Sequence, residues 1–231
     1  MIGLLDTGLS GPLAGSTRLS HRFWLDGDGR VADGPARPDL MGHGTALAGL
    51  IQAGCPSAPI VNAQVFGADG AAPPVAIAAG LDWLVAKGVR IVNMSFGLAE
   101  DRRILAEACS AAVRAGILLV AAVPAMGAMV FPAAYPGTVR VTGDGRCRPG
   151  EVSRIDDDRV HFGASPHLAL KPETPWRRSA VAGASVATAR VTARLAGLLL
   201  RFPGDDNARL LARLEEAALP LGPQREHLHV G

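Results

Sequence analysis

The sequence predicts an α/β fold, a three-layer sandwich around a mainly parallel twisted sheet. Three observations predict it: short runs of Ile, Val and Leu, segments of helical length between them, and the alternation of the two along the chain. The runs are "MIGLL" (1–5), "IVNAQVF" (60–66), "RIVNMSF" (90–96), "ILLVAAV" (117–123) and "TVRVT" (138–142). Each is apolar on both faces, as expected of a strand covered on both sides. Helical segments are expected over 43–53, 74–87, 101–115, 183–201 and 206–217. The region 143–180 carries Gly, Pro, the acidic run Asp156-Asp157-Asp158 and basic residues without periodicity, and reads as loops and short irregular strands. No internal repeat, low-complexity tract or linker interrupts the 231 residues, so one domain spanning 1–231 is expected.

Composition narrows the function classes. Hydrophobic residues make up 48% and charged residues 19%, which favours a well-buried core over disorder. A formal charge of +2 gives no electrostatic reason to expect nucleic acid or an anionic membrane as partner. The cysteines Cys55, Cys109 and Cys147 are widely spaced and form no CxxC, so reduced thiols are expected rather than a disulfide framework or a zinc site. The opening "MIGLLDTGLSG" lacks a charged n-region and a cleavage site, and no long uncharged apolar run follows. These features predict a cytoplasmic protein without a membrane span.

In parallel sheets functional groups collect at the carboxyl ends of the strands. Asp6 ends the first run in "GLLDTG", and the glycine after Thr7 suits a tight turn. His43 lies in "MGHGTALAGLI", between glycines ahead of an apolar helix. Ser185 lies in "GASVATA" where another helix begins. Taken alone, Asp6 reads as a turn residue, His43 as a cap or core residue, and Ser185 as a helix N-cap.

Their order, Asp then His then Ser, with these local contexts, carries more. The blocks "LLDTG", "GHGT", "IVNMSFG", "FPAAYPG" and "GASVATARVTARLAGLLL" resemble the successive signatures of subtilisin-like serine proteases, in order from residue 2 to residue 200. The resemblance implies Asp6 as the orienting carboxylate, His43 as general base and then acid, and Ser185 as nucleophile. Chemistry requires such a set: a serine hydroxyl needs a base to take its proton, and the imidazole needs a carboxylate to fix its tautomer and stabilise its charge. A helix start at Ser185 adds backbone N–H groups and a positive dipole end for the oxyanion. By the same resemblance Ser95, Phe96 and Gly97 line a cleft that binds an extended peptide through its main chain. Asn93 is assigned to structural support.

Some positions depart from the family. Where it carries an asparagine that donates to the oxyanion, "VAAVPAMG" places Ala125, which has no donor. Losing one such donor slows turnover roughly 10²–10³-fold. Ala184 and Ala189 replace the family's threonine and proline in the serine block. With five residues ahead of Asp6, no folding-assisting propeptide is expected. Asp156-Asp157-Asp158 lacks the spaced oxygen ligands of a calcium loop, so neither a metal nor another cofactor is expected. Arg190, Arg194 and Arg201 fall near one helical face, as a solvated edge or as an attractor of an acidic substrate segment or partner.

These features favour a slow, selective endopeptidase acting on a dedicated precursor, similar to compact family members that remove leader peptides, with a partner protein in a maturation complex as a further expectation. The competing readings are a degenerate protease that binds a peptide or partner in its cleft, and an esterase or acyltransferase, against which stands the absence of a GxSxG elbow.

Overall fold

The computed structural model describes residues 1–155, 157–168 and 182–222. In chain order the elements are β1 (Ile2–Asp6), α1 (Pro12–Ser16), β2 (Leu19–Leu25), β3 (Val31–Pro35), α2 (His43–Gly54), β4 (Ile60–Gln64) and α3 (Pro74–Ala86). Then follow β5 (Ile91–Met94), α4 (Arg103–Arg114), β6 (Leu118–Ala122), β7 (Thr138–Gly143), β8 (Val152–Arg154), β9 (Phe162–Ala164), α5 (Ala184–Arg201) and α6 (Asn207–Ala217). All five apolar runs form strands and all five expected helices form.

The strands make one nine-stranded sheet in the order β3-β2-β4-β1-β5-β6-β7-β9-β8. Every pairing from β2 through β9 is parallel. Only the edges are antiparallel, β3 on β2 and β8 on β9. Alternate side chains of the central strands enter two different cores. Leu4, Leu118 and Val120 pack with Leu47 and Ile51 of α2, Val191 and Leu195 of α5, and Leu210 and Leu214 of α6. Leu5, Leu119 and Ala121 pack with Ile77 and Leu81 of α3 and Leu105 and Cys109 of α4. Period-two alternation thus fills both faces, which makes three layers.

The β2–β3 hairpin was not among the expected strands. "LSHRFWL" buries only Phe23, and β3 buries nothing fully, so neither presents an apolar run. Ladder hydrogen bonds and the turn at Asp26, whose Oδ1 accepts from the N–H groups of Asp28 at 3.0 Å and Arg30 at 2.9 Å, hold them instead. The irregular stretch 143–180 does contain short strands, β8 and β9. Among the described residues, no helix is long and apolar enough to cross a membrane.

Candidate active site

The strand order reverses at β1, which lies between β4 and β5, and ligands of open parallel sheets gather at such a point. Asp6 is the last residue of β1 and is 1% exposed. Its Oδ1 accepts the N–H of Thr7 at 2.8 Å and faces His43 Nδ1 at 2.7 Å. With Nδ1–H donating to the carboxylate, Nε2 is left as the acceptor, the tautomer a general base needs.

His43 is the first residue of α2, and the approach of that helix to β1 is very close. A Cβ at Gly44 would lie 2.4 Å from the carbonyl oxygen of Gly8. The helix start is held by Asp39, a residue that no motif marks. Asp39 Oδ1 accepts from Thr7 Oγ1 at 2.9 Å, Met41 N at 3.1 Å and Gly42 N at 2.8 Å. Its Oδ2 accepts from Thr45 N at 2.9 Å and Thr45 Oγ1 at 2.7 Å. Burial opposes the charge of Asp39, but these donors prevail and hold its carboxyl below the usual range. Thr7 Oγ1 in turn accepts the N–H of Gly44 at 2.9 Å, tying β1 to α2.

Ser185 is the second residue of α5 and is not its cap. The N-cap is Gly183, at φ 73°, and no side chain caps the helix. Only a residue without a Cβ adopts that angle freely, so the turn belongs to glycine and Ser185 falls one position inside the helix. The Ser185 hydroxyl donates to the Ser95 carbonyl at 3.1 Å, and the Ser95 hydroxyl donates to the Ser185 carbonyl at 3.2 Å. Behind this reciprocal pair, Thr192 Oγ1 donates to Asn93 Oδ1 at 3.0 Å and Asn93 Nδ2 donates to Ser95 Oγ at 2.9 Å. Asn93 is fully buried, in the supporting position expected of it. Asp6 and His43 are therefore joined, whereas the Ser185 hydroxyl rests on the end of β5 instead of on His43.

Ser95, Phe96 and Gly97 follow β5 directly. Ser95 and Phe96 line a pocket of about 140 Å3 together with Asp6, His43, Met41 and Phe66. Phe66 and Phe96 meet edge to face with centroids 5.2 Å apart. Gly97 is exposed and stands against Val130, where a Cβ would fall 2.7 Å from Cγ2. Just beyond, Leu98 and Phe131 exchange both backbone hydrogen bonds, at 2.7 and 2.9 Å. Ala125 is exposed in the loop after β6 and brings no donor.

Other expected features fall elsewhere. Asp156 lies outside the described residues. Asp157 accepts from the N–H groups of Arg159 at 2.8 Å and Val160 at 2.6 Å, which makes it a turn residue. Among the described residues no cluster of His, Cys, Asp or Glu could hold a metal ion. The arginine stripe divides: Arg190 donates to the His167 carbonyl at 2.7 Å and borders a pocket with Arg194, while Arg201 lies over the Phe202 ring at 5.3 Å.

Over residues 1–231 the sequence matches the subtilase family of S8 peptidases. The chain belongs to the subtilase family. That family is the one of the subtilisin-like serine endopeptidases. This subtilase is 30% identical over 196 residues to the minor extracellular protease Epr of Bacillus subtilis (strain 168), covering 80% of the chain and 30% of Epr. It is 28% identical over 241 residues to subtilisin BL of Lederbergia lenta, covering 96% of the chain and 84% of that protein. Among solved structures it superposes on fervidolysin from Fervidobacterium pennivorans, a keratinolytic enzyme related to subtilisin, with TM-score 0.65 and 22% identity. That match covers 89% of this chain and 36% of fervidolysin, and shows the shared fold.

Proposed function

We propose that this subtilase is a serine endopeptidase in which Asp6 orients and charges His43, His43 acts as base and then acid, and Ser185 is the nucleophile. The observation that carries the reading is the 2.7 Å hydrogen bond from His43 Nδ1 to the buried carboxylate of Asp6. In the reaction the Ser185 hydroxyl leaves the Ser95 carbonyl and passes its proton to His43 Nε2 as Oγ attacks the peptide carbonyl. Catalytic hydrogen bonds of this kind are commonly loose without substrate and tighten with it. The tetrahedral oxyanion is stabilised by N–H groups of the first turn of α5, where the helix dipole is positive. His43 then gives the proton to the leaving amine, and water hydrolyses the acyl-enzyme by the same relay.

The substrate reads as a peptide in extended form, laid along Ser95, Phe96 and Gly97 and exchanging main-chain hydrogen bonds with that segment. With Ala125 in the loop where the family has its donating asparagine, turnover is slow. Slow, selective cleavage suits removal of a leader segment from a dedicated precursor within a maturation complex, carried out by one domain spanning 1–231. A cytoplasmic setting is supported by Cys55, Cys109 and Cys147, which are all free and buried.

The test is labelling with a fluorophosphonate probe. Modification of the wild type but not of Ser185→Ala is the expected result. Absence of labelling in a folded wild type overturns the reading and favours a peptide-binding module, which the resting bond from Ser185 to Ser95 would then serve.

A further inference from the structure

Beside the apolar pocket at His43 lies a second concavity whose largely apolar wall also carries two arginines. It has a volume of about 140 Å3, and Arg22, Arg37 and Gln64 form part of its wall. Thr7, Met41 and Phe66 line both pockets, so the two adjoin near the carboxyl ends of β1 and β4.

Two cations share this small space. Arg22 comes from β2, is half-buried, and lies over the Trp24 ring at 4.7 Å. Arg37 comes from the segment before α2, is exposed, and is anchored through its backbone N–H to Gln64 Oε1 at 2.8 Å. Among the described residues, neither guanidinium forms a salt bridge. No carboxylate lines this concavity among the described residues, and the acidic residues near the arginines in sequence or along the strands have other partners. Asp39 is occupied by Thr7, Met41, Gly42 and Thr45, Asp33 pairs with His21 Nε2 at 2.8 Å, and Asp69 accepts the Ala71 N–H at 3.1 Å. Burial and, after it, the charge of Arg37 push the Arg22 guanidinium below its ordinary value. Two like charges held over one concavity repel each other until an anion sits between them, and paired guanidinium forks match a carboxylate.

We propose that Arg22 and Arg37 form a subsite for an acidic side chain of the substrate, on the His43 side of the cleft, so that this subtilase selects peptides carrying glutamate or aspartate next to the cleavage point. The inference rests on the endopeptidase reading above and adds a substrate class to it. A peptide laid past His43 runs beside the wall of Thr7, Met41 and Phe66 that the arginine-bearing concavity shares.

The experiment measures binding, apart from turnover. Alanine-based hexapeptides with a single glutamate walked through each position, and their glutamine counterparts, are titrated calorimetrically into the full-length Ser185→Ala protein at low ionic strength. At one register the glutamate peptide should bind at least tenfold tighter than its counterpart. That preference should shrink with added salt and fall below threefold in Arg37→Gln, whose exposed side chain leaves the fold untouched. In Arg37→Glu a lysine peptide should bind tighter than the glutamate peptide at the same register. Equal binding of glutamate and glutamine peptides at every register, no peptide binding at all, or a preference that survives Arg37→Gln together with Arg22→Gln overturns the proposal. Fluorophosphonate labelling of the wild type keeps the hydrolytic reading standing in those cases, so the two fail separately.

Discussion

His43 is under opposing pressures. Burial favours its neutral form, while the hydrogen bond to Asp6 and the charges of Asp6 and Asp39 favour the protonated one and prevail, so its pKa lies above the ordinary 6.5. A general base must be neutral, so kcat/KM should rise with pH along a limb whose midpoint lies above 6.5, and Asp39→Asn should move that midpoint down. A pH–rate profile measures both. The same shift acts on stability with the opposite sense: His43 contributes stability in acid, which is lost as pH rises through its folded pKa. Asp39, with its carboxyl lowered, contributes stability above the unfolded carboxylate value of 3.8 that is lost as pH falls through the folded one. Ala125 gives the other prediction at this scale. Ala125→Asn should raise kcat about tenfold or more with little change in KM, because the new donor acts only on the transition state. An unchanged kcat would show that another group already serves the oxyanion. As sequence blocks Asp6, His43 and Ser185 were visible because each is compact and local; folding joins Asp6 to His43, while Ser185 Oγ rests on the Ser95 carbonyl. Asp39, Arg22 and Arg37 were not legible, because their meaning comes from contacts that only folding brings together.

Both helix starts that carry site residues have a glycine at the N-cap, and only α2 receives a side chain from outside. At α5 the sequence suggested a serine cap, but the turn demands a left-handed residue and Gly183 takes it, which leaves the Ser185 hydroxyl unused by its own helix. At α2 the N-cap residue, Gly42, has no side chain to offer, and Asp39 reaches in to accept the Thr45 N–H. Asp39→Ala should therefore cost about 2 kcal/mol, at the upper end for a lost cap, because the buried hydroxyl of Thr7 loses its acceptor as well. Urea unfolding reads the loss. The same variant should lower kcat, since His43 is the first residue of that helix. The five central strands and the five long helices were legible because burial on both faces and helical length write themselves into composition. The β2–β3 hairpin was not, since ladder hydrogen bonds leave no mark in side-chain chemistry.

Across the whole molecule, the chain after α6 is fastened back onto the sheet. Asp144 is fully buried and takes Arg146 through Nε at 2.9 Å and Nη2 at 2.8 Å, with Ser153 Oγ at 2.7 Å. The same guanidinium donates to the carbonyls of Leu221 at 3.1 Å and Gly222 at 2.8 Å. Arg146→Ala should destabilise by about 2 kcal/mol, less than for a fully enclosed pair because the arginine is partly exposed. A thermal melt of the variant checks it.

The fastening has a bearing on colloidal behaviour. β8 is an outermost strand, and Leu219 lies along its free side, giving its N–H to the Val152 carbonyl at 2.8 Å and taking the Arg154 N–H at 2.8 Å. The opposite margin, β3, ends in Pro35, which has no N–H to offer a neighbour. One rim of this broad sheet is thus already paired, and the other is short and closed at one end by a proline, which lessens the ladder open to a further molecule.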